Sequence, residues 1–178
     1  NVIAYMERNG VGINSNYLKN LSNTFINKMN PIKEKIFNLA DEEFNISSPK
    51  QLAEILYNKL GLKGGKKGKS GLYSTSAAVL EKLSQDGNEI CQLILEWRAL
   101  QKLKSTYSDA LVDQINPVTK RVHTHFQMTG AMTGRFSSSN PNLQNIPIKT
   151  EDGRAIRRAF IAEENKKIVA CDYSQIEL

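Results

Sequence analysis

The sequence predicts an α+β protein whose helical first two-thirds gives way to a mixed last third. Three observations carry that reading. Before residue 116, apolar residues recur at intervals of three and four over long stretches. After Asn116-Pro117 the pattern turns to alternation, with Val122, Thr124 and Phe126 separated by His123 and His125. The composition, 40% apolar and 24% charged over 178 residues, suits a chain that buries a core and excludes disordered or fibrous classes.

The first element is a short helical pattern that ends at Gly10 and Gly12. Leu18, Leu21, Phe25, Met29, Ile32, Ile36 and Leu39 then line one face of a long helix, with a kink or break expected at Pro31. Ser48, Pro49 and Gln51 form a capping-box start for a helix whose apolar face is Leu52, Ile55, Leu56 and Leu60. Gly61–Gly71 is aperiodic. Ser74-Thr75-Ser76 offers caps for a short helix carrying Val79, Leu80 and Leu83. The strongest helix runs from about Ile90 to Ile115, with Ile90, Leu93, Trp97, Leu100, Leu103, Tyr107 and Leu111 as its seam.

Beyond the boundary near 116, residues 129–148 form a polar stretch rich in Thr, Ser, Asn and Gly. Arg154–Phe160 can form a helical turn. Lys167-Ile168-Val169-Ala170-Cys171-Asp172 reads as a compact apolar strand ending in a carboxylate. Cys91 and Cys171, both in apolar settings, read as reduced core residues of a cytosolic protein. No apolar run reaches the ~20 residues of a membrane helix, and no secretory leader pattern opens the chain. The stop at Leu178 carries no terminating signal and reads as a cut.

Charge and polar motifs supply the chemistry. Lys63, Lys66, Lys67 and Lys69 carry most of the +6 net charge and sit in one glycine-rich loop. Gly68-Lys69-Ser70 is not a P-loop, because the position five before Gly68 is Lys63 and no strand precedes it. Composition alone leaves open a solvated loop or a basic finger that follows nucleic-acid phosphates. Asp172 is placed either to cap a helix or to ligate Mg²⁺, which prefers carboxylate, carbonyl and water oxygens. Glu177 is a first-turn acid or a site residue. Thr133–Pro147 combines Arg, Gln and Asn, the donors that reach base edges, sugars and phosphates.

Four segments occur in order: Thr133-Gly-Arg-x-Ser-Ser, Asn142-Leu-Gln-Asn-Ile-Pro, Arg157-Arg-Ala-Phe160 and Asp172-Tyr-Ser-Gln-Ile-Glu-Leu178. Together they closely resemble the family A DNA polymerases. Glu7-Arg-Asn-Gly10, Phe44-Asn-Ile-Ser-Ser48, Tyr73-Ser-Thr-Ser76 and Leu103-Lys-Ser-Thr-Tyr107 extend the resemblance across the chain.

The resemblance implies an N-terminal segment over 1–13, a helical thumb over 14–115 and a partial, largely antiparallel palm sheet over 116–178. It implies a polymerase that adds deoxynucleotides to a primer 3′ end, in replication and repair, in the bacterial cytoplasm. Asp172 would be one of two aspartates holding two Mg²⁺ ions that activate the 3′-hydroxyl and stabilise developing phosphoryl charge. The Tyr173 carbonyl would touch the nucleotide-bound ion. Gln175 and Ile176 would shape the nucleotide site, and Glu177 would exclude a ribose 2′-hydroxyl. Asn45, Ser48, Arg98, Lys102, Arg135, Asn142, Gln144 and Asn145 would contact primer–template DNA, with Lys63, Lys66, Lys67 and Lys69 at the thumb tip.

Lys149 stands where the family has arginine, which keeps the charge and loses the bidentate fork. The fingers helix and second aspartate are absent from the 178 residues, so the chain alone is expected to bind duplex and not to extend it. Unpaired palm strands would invite dimerisation, with no obligate protein partner implied. The rival readings are a non-catalytic duplex-binding module that reuses the thumb, a single-subunit RNA polymerase, disfavoured by Glu177, and a structural helical protein.

Overall fold

The computed structural model describes residues 2–65, 67, 68, 71 and 73–173. The chain divides into two compact units, one of residues 1–21 with 105–178 and the other of residues 22–104. These divisions fall at 21/22 and 104/105, against the 13/14 and 115/116 expected from the sequence.

In the first unit, helix α1 (Val2–Asn9) leads through Gly10 into strand β1 (Val11–Ile13). This strand was not legible as one, because Gly12 interrupts its pattern. It lies between β2 (Arg121–Val122) and β5 (Phe160–Ile161) in an antiparallel sheet of order β2-β1-β5. Gly12 faces Arg121 on one side and Ile161 on the other. A Cβ there would lie 2.8 Å from the Ile161 carbonyl oxygen, so the close approach requires glycine. A second antiparallel pair joins β3 (His125–Gln127) to β4 (Ser137–Ser139), with Phe126 opposite Ser138.

Side chains tie α1 to these strands. The Phe126 N–H donates to Glu7 Oε1 (2.6 Å). Arg121 donates to the Asn9 and Gly10 carbonyls (2.6 and 3.0 Å) and pairs with Glu163 (3.0 Å). His123 Nδ1 lies 2.8 Å from the Glu7 carbonyl, which only accepts; that nitrogen therefore carries the proton, and Nε2 accepts from the Thr119 hydroxyl. Helix α7 (Glu151–Arg157) starts where the Thr150 hydroxyl accepts from the Gly153 N–H (3.1 Å).

Helix α2 (Ser15–Ala40) is unbroken despite Pro31. Proline removes one ladder donor, and the buried face continues on both sides of it through Met29, Ile32 and Ile36. At the helix end Ala40 takes the inward place expected of Leu39, which is exposed. Leu18 and Leu21 belong to the first unit, and Phe25 through Ile36 to the second.

The second unit continues with α3 (Pro49–Ala53), a π-helical turn (Glu54–Lys59), α4 (Ala77–Gln85) and α5 (Glu89–Leu103). The Ser48 hydroxyl caps α3 by accepting from the Gln51 N–H (3.4 Å). The reciprocal half of the box is displaced, since Gln51 Oε1 accepts from the Asn45 N–H (2.7 Å) instead. Helices α4 and α5 pack together, with Leu80 and Ile94 fully buried. The predicted long helix is continued by a second π-helical turn (Lys104–Asp109) and α6 (Ala110–Asp113). Every residue of its seam is buried. The spacing of four through Leu103, Tyr107 and Leu111 over-rotates an α-helix, and the wider turn absorbs the excess.

The expected strand at 167–172 does not form. These residues are irregular and exposed, including Ile168, Val169 and Cys171. A strand needs a hydrogen-bonded neighbour and a face to bury, and among the described residues nothing pairs with this stretch. Cys171 is therefore a free surface thiol rather than a core residue. Cys91 is buried, and burial pushes its thiol pKa up to about 11. At neutral pH a disulfide-exchange reagent is expected to titrate one thiol per native chain, Cys171, and both after denaturation. Two reactive thiols in the native protein would contradict this burial.

Candidate nucleic-acid interface

The polar run after Gln127 has little regular structure, so its backbone groups are met by side chains or by water. Five consecutive carbonyls are met by side chains. Tyr107 donates to the Asn145 carbonyl. Arg157 donates to those of Ile146 (3.1 Å) and Pro147 (3.3 Å). Arg154 donates to those of Ile148 (3.3 Å) and Lys149 (3.1 Å). Glu151 holds Arg154 and Arg158 at 2.9 and 2.7 Å, and those bonds lower its carboxyl pKa, Arg154 first. Burial of Tyr107 raises the pKa of its phenol.

A second set of bonds shapes the turn before it. Gln144 spends both ends of its amide locally, accepting from the Ser138 N–H (3.1 Å) and donating to the Phe136 carbonyl (3.0 Å). The Asn142 Oδ1 accepts from the Gln144 N–H (2.9 Å). Arg135, Asn142, Gln144 and Asn145 are thereby gathered on one braced segment, all exposed. Gly134, at φ +73°, gives the turn before Arg135 a backbone that L side chains rarely adopt.

The candidates in residues 22–104 form a separate set. Asn45 accepts from the Ser47 N–H (3.0 Å), so it and Ser48 shape the entry to α3. Arg98 donates to the Thr75 carbonyl at 2.6 Å, and burial lowers its guanidinium pKa. Lys102 is exposed on α5. In the basic loop, Lys63 and Lys67 are exposed. The Lys67 ammonium lies 5.0 Å over the Tyr73 ring, which stacks on Tyr57 at 4.4 Å. The Tyr57 hydroxyl donates to the Ser74 carbonyl (2.9 Å), completing the anchor at the base of the loop. Lys66, Lys69, Gln175, Ile176 and Glu177 lie outside the described residues.

Asp172 and Tyr173 are exposed and irregular. One carboxylate and one carbonyl do not make up the six-oxygen shell of Mg²⁺. Among the described residues no group of three His, Cys, Asp or Glu side chains is placed to hold an ion. A metal site is therefore not complete within them. A cleft of about 690 Å³ in the first unit, lined by Gly10, Arg121, Arg157, Phe160 and Lys167 among others, was not foreseen.

The family model for DNA polymerase family A matches residues 15–178. The chain belongs to this family. It is 50% identical over 177 residues to DNA polymerase I of Rhizobium leguminosarum, covering 99% of this chain and 17% of that protein. To the thermostable DNA polymerase I of Thermus aquaticus it is 51% identical over 178 residues, covering 99% and 21%. A solved structure, the POL domain of Pol1 from M. smegmatis in complex with DNA primer-template and dNTP, superposes with a TM-score of 0.82 at 38% identity, covering 91% of this chain and 28% of that one. The chain thus spans about a fifth of the length of the curated relatives it matches.

Sequence reasoning did not single out the side chains that hydrogen-bond this segment: Tyr107, Thr124, Ser138, Arg154 and Arg157. One signal was available. Thr124 occupies the inward phase of the Val122-Thr124-Phe126 alternation, where a polar residue needs a partner. Among the described residues no helix is long and apolar enough to cross a membrane.

The Arg98 bond generates a prediction. Arg98→Ala strands the buried Thr75 carbonyl and is expected to destabilise the fold by roughly 1–3 kcal/mol, read as a lower denaturant midpoint. An unchanged midpoint would leave Arg98 without this internal role.

Proposed function

We propose that this chain is the part of a template-directed DNA polymerase that holds primed duplex and supplies one carboxylate of its catalytic centre. The complete enzyme would add deoxynucleotides to a primer 3′ end by nucleotidyl transfer. One observation supports this most: in a family A chain, the segment carrying Arg135, Asn142, Gln144 and Asn145 is rigidly braced from behind and exposed in front. Donors such as Arg135, Asn142 and Asn145, held on a segment that Gln144 shapes, suit the minor groove, which presents acceptors at similar places for every correct base pair. Such donors sense pairing geometry without reading sequence.

In this reading residues 14–115 act as thumb and 116–178 as part of the palm. The lysine loop, Asn45, Ser48, Arg98 and Lys102 lie along the duplex backbone. Asp172, with the Tyr173 carbonyl, would contribute to a Mg²⁺ pair whose other ligands come from beyond these residues. Gln175, Ile176 and Glu177 would form the nucleotide side, with Glu177 excluding a 2′-hydroxyl. The M. smegmatis relative, bound to primer-template and dNTP, supports these classes of partner.

Two measurements test the proposal. In a complete family A polymerase carrying this segment, Asp172→Ala is expected to abolish primer extension while primer–template binding stays within about twofold, because a metal ligand acts on chemistry more than on grip. Normal turnover would favour the duplex-binding module, and the 178-residue chain alone should show no extension. Separately, replacing Lys63, Lys66, Lys67 and Lys69 with alanine is expected to reduce the slope of log K against log salt by about three to four. An unchanged slope would assign those charges to bulk solvent.

A further inference from the structure

We propose that Thr124 is a positioning residue that sets the shape of the DNA-contacting segment through a directed relay of hydroxyl hydrogen bonds. The inference rests on the interface reading above and names a residue which that reading does not use.

Thr124 lies between β2 and β3 and is 4% exposed, as is Ser138 on β4. Its Oγ1 lies 2.7 Å from Ser138 Oγ, 2.7 Å from the Pro141 carbonyl and 3.0 Å from the Ser139 carbonyl. Ser138 Oγ in turn accepts from the Leu143 N–H at 3.0 Å. Proton counting and distance together give the bonds a direction. Carbonyls only accept, so the single Thr124 proton goes to Pro141 or Ser139. The Ser138 proton then has two acceptors in reach, Thr124 Oγ1 at 2.7 Å and the Pro141 carbonyl at 3.3 Å, and the shorter bond is to Thr124, while Ser138 Oγ accepts from Leu143. The relay runs from the Leu143 N–H through both hydroxyls to the 139–141 carbonyls. It closes the turn from inside.

That turn connects the two halves of the interface. Ser138 also donates its N–H to Gln144, whose amide reaches the Phe136 carbonyl beside Arg135. The backbone beside Arg135 and the backbone beside Asn142 are thus both tied to Ser138, the first through its N–H and Gln144 and the second through its hydroxyl. Valine at 124 would match the volume and remove donor and acceptor together. Ser138 would be left with the Pro141 carbonyl at 3.3 Å, a poorer partner that bypasses position 124.

The test uses a complete family A polymerase carrying this segment, with steady-state kinetics and primer–template binding by fluorescence anisotropy at fixed salt. Thr124→Val is expected to raise KM for primer–template by about five- to twentyfold, with kcat and KM for dNTP within about twofold. Thr124→Ser keeps the hydroxyl and loses the methyl, and is expected to stay within about twofold of the parent. Combining Thr124→Val with Arg135→Ala should add little to Arg135→Ala alone, as coupled residues do. Should Thr124→Val fail to fold, Ser138→Ala removes the middle of the relay and is expected to give the same KM split.

Parent-like primer–template KM in Thr124→Val and Ser138→Ala overturns the proposal. So does a serine variant worse than the valine one, which would mark Thr124 as a packing residue. If Arg135→Ala weakens primer–template binding and the relay variants do not, only the positioning role falls. If Arg135→Ala changes nothing, the interface reading fails and takes the positioning role with it.

Discussion

A folded segment without helix or strand meets its carbonyl groups with side chains or with water, and that constraint shapes the stretch after Gln127. Exchanging water for a side-chain donor gains about 0.5–1.5 kcal/mol per bond, so several such bonds together hold the segment in one shape. Here the carbonyls of residues 145–149 are met in sequence by Tyr107, Arg157 and Arg154. The arginines come from α7, whose first-turn Glu151 is itself spent on Arg154 and Arg158. The helix therefore acts as a donor rack. Its charges are used to hold backbone.

The basic loop follows the same economy on a smaller scale. Lys67 sits over Tyr73, and the stacked tyrosines fix the base from which the loop projects. Gly65 is tight against this stack, since a Cβ would fall 2.3 Å from the Tyr57 ring. One lysine is thus partly an anchor, and Lys63 is exposed on the described part of the loop. A cation over an aromatic face is a weaker contact than a desolvated ion pair, so it steadies the loop without locking Lys67 in place.

Legibility in the sequence followed the physics of each element. Helices with a continuous apolar face were readable, because burial repeats every three or four residues; the seam from Ile90 to Leu111 is buried throughout. Their fine structure was not, since a π-helical turn over Lys104–Asp109 changes the phase without changing residue types. Strand β4 is three serines and offers no alternation to detect. The Lys167–Asp172 stretch had the composition of a strand, and among the described residues nothing pairs with it, which no local pattern reveals. On the interface, Arg135 and the 142–145 run were visible as donors. Their braces were not, because they come from positions as far away as Tyr107.

Trp97 is the chain's one tryptophan, and it is buried in the α5 seam. That helix belongs to the unit of residues 22–104, whereas the braced segment and Asp172 belong to the other. Intrinsic indole emission therefore watches one half of the molecule and is blind to the other. A melting curve followed at that wavelength reports directly on the helical unit, and a second probe in the other unit is needed to test whether both melt in one transition.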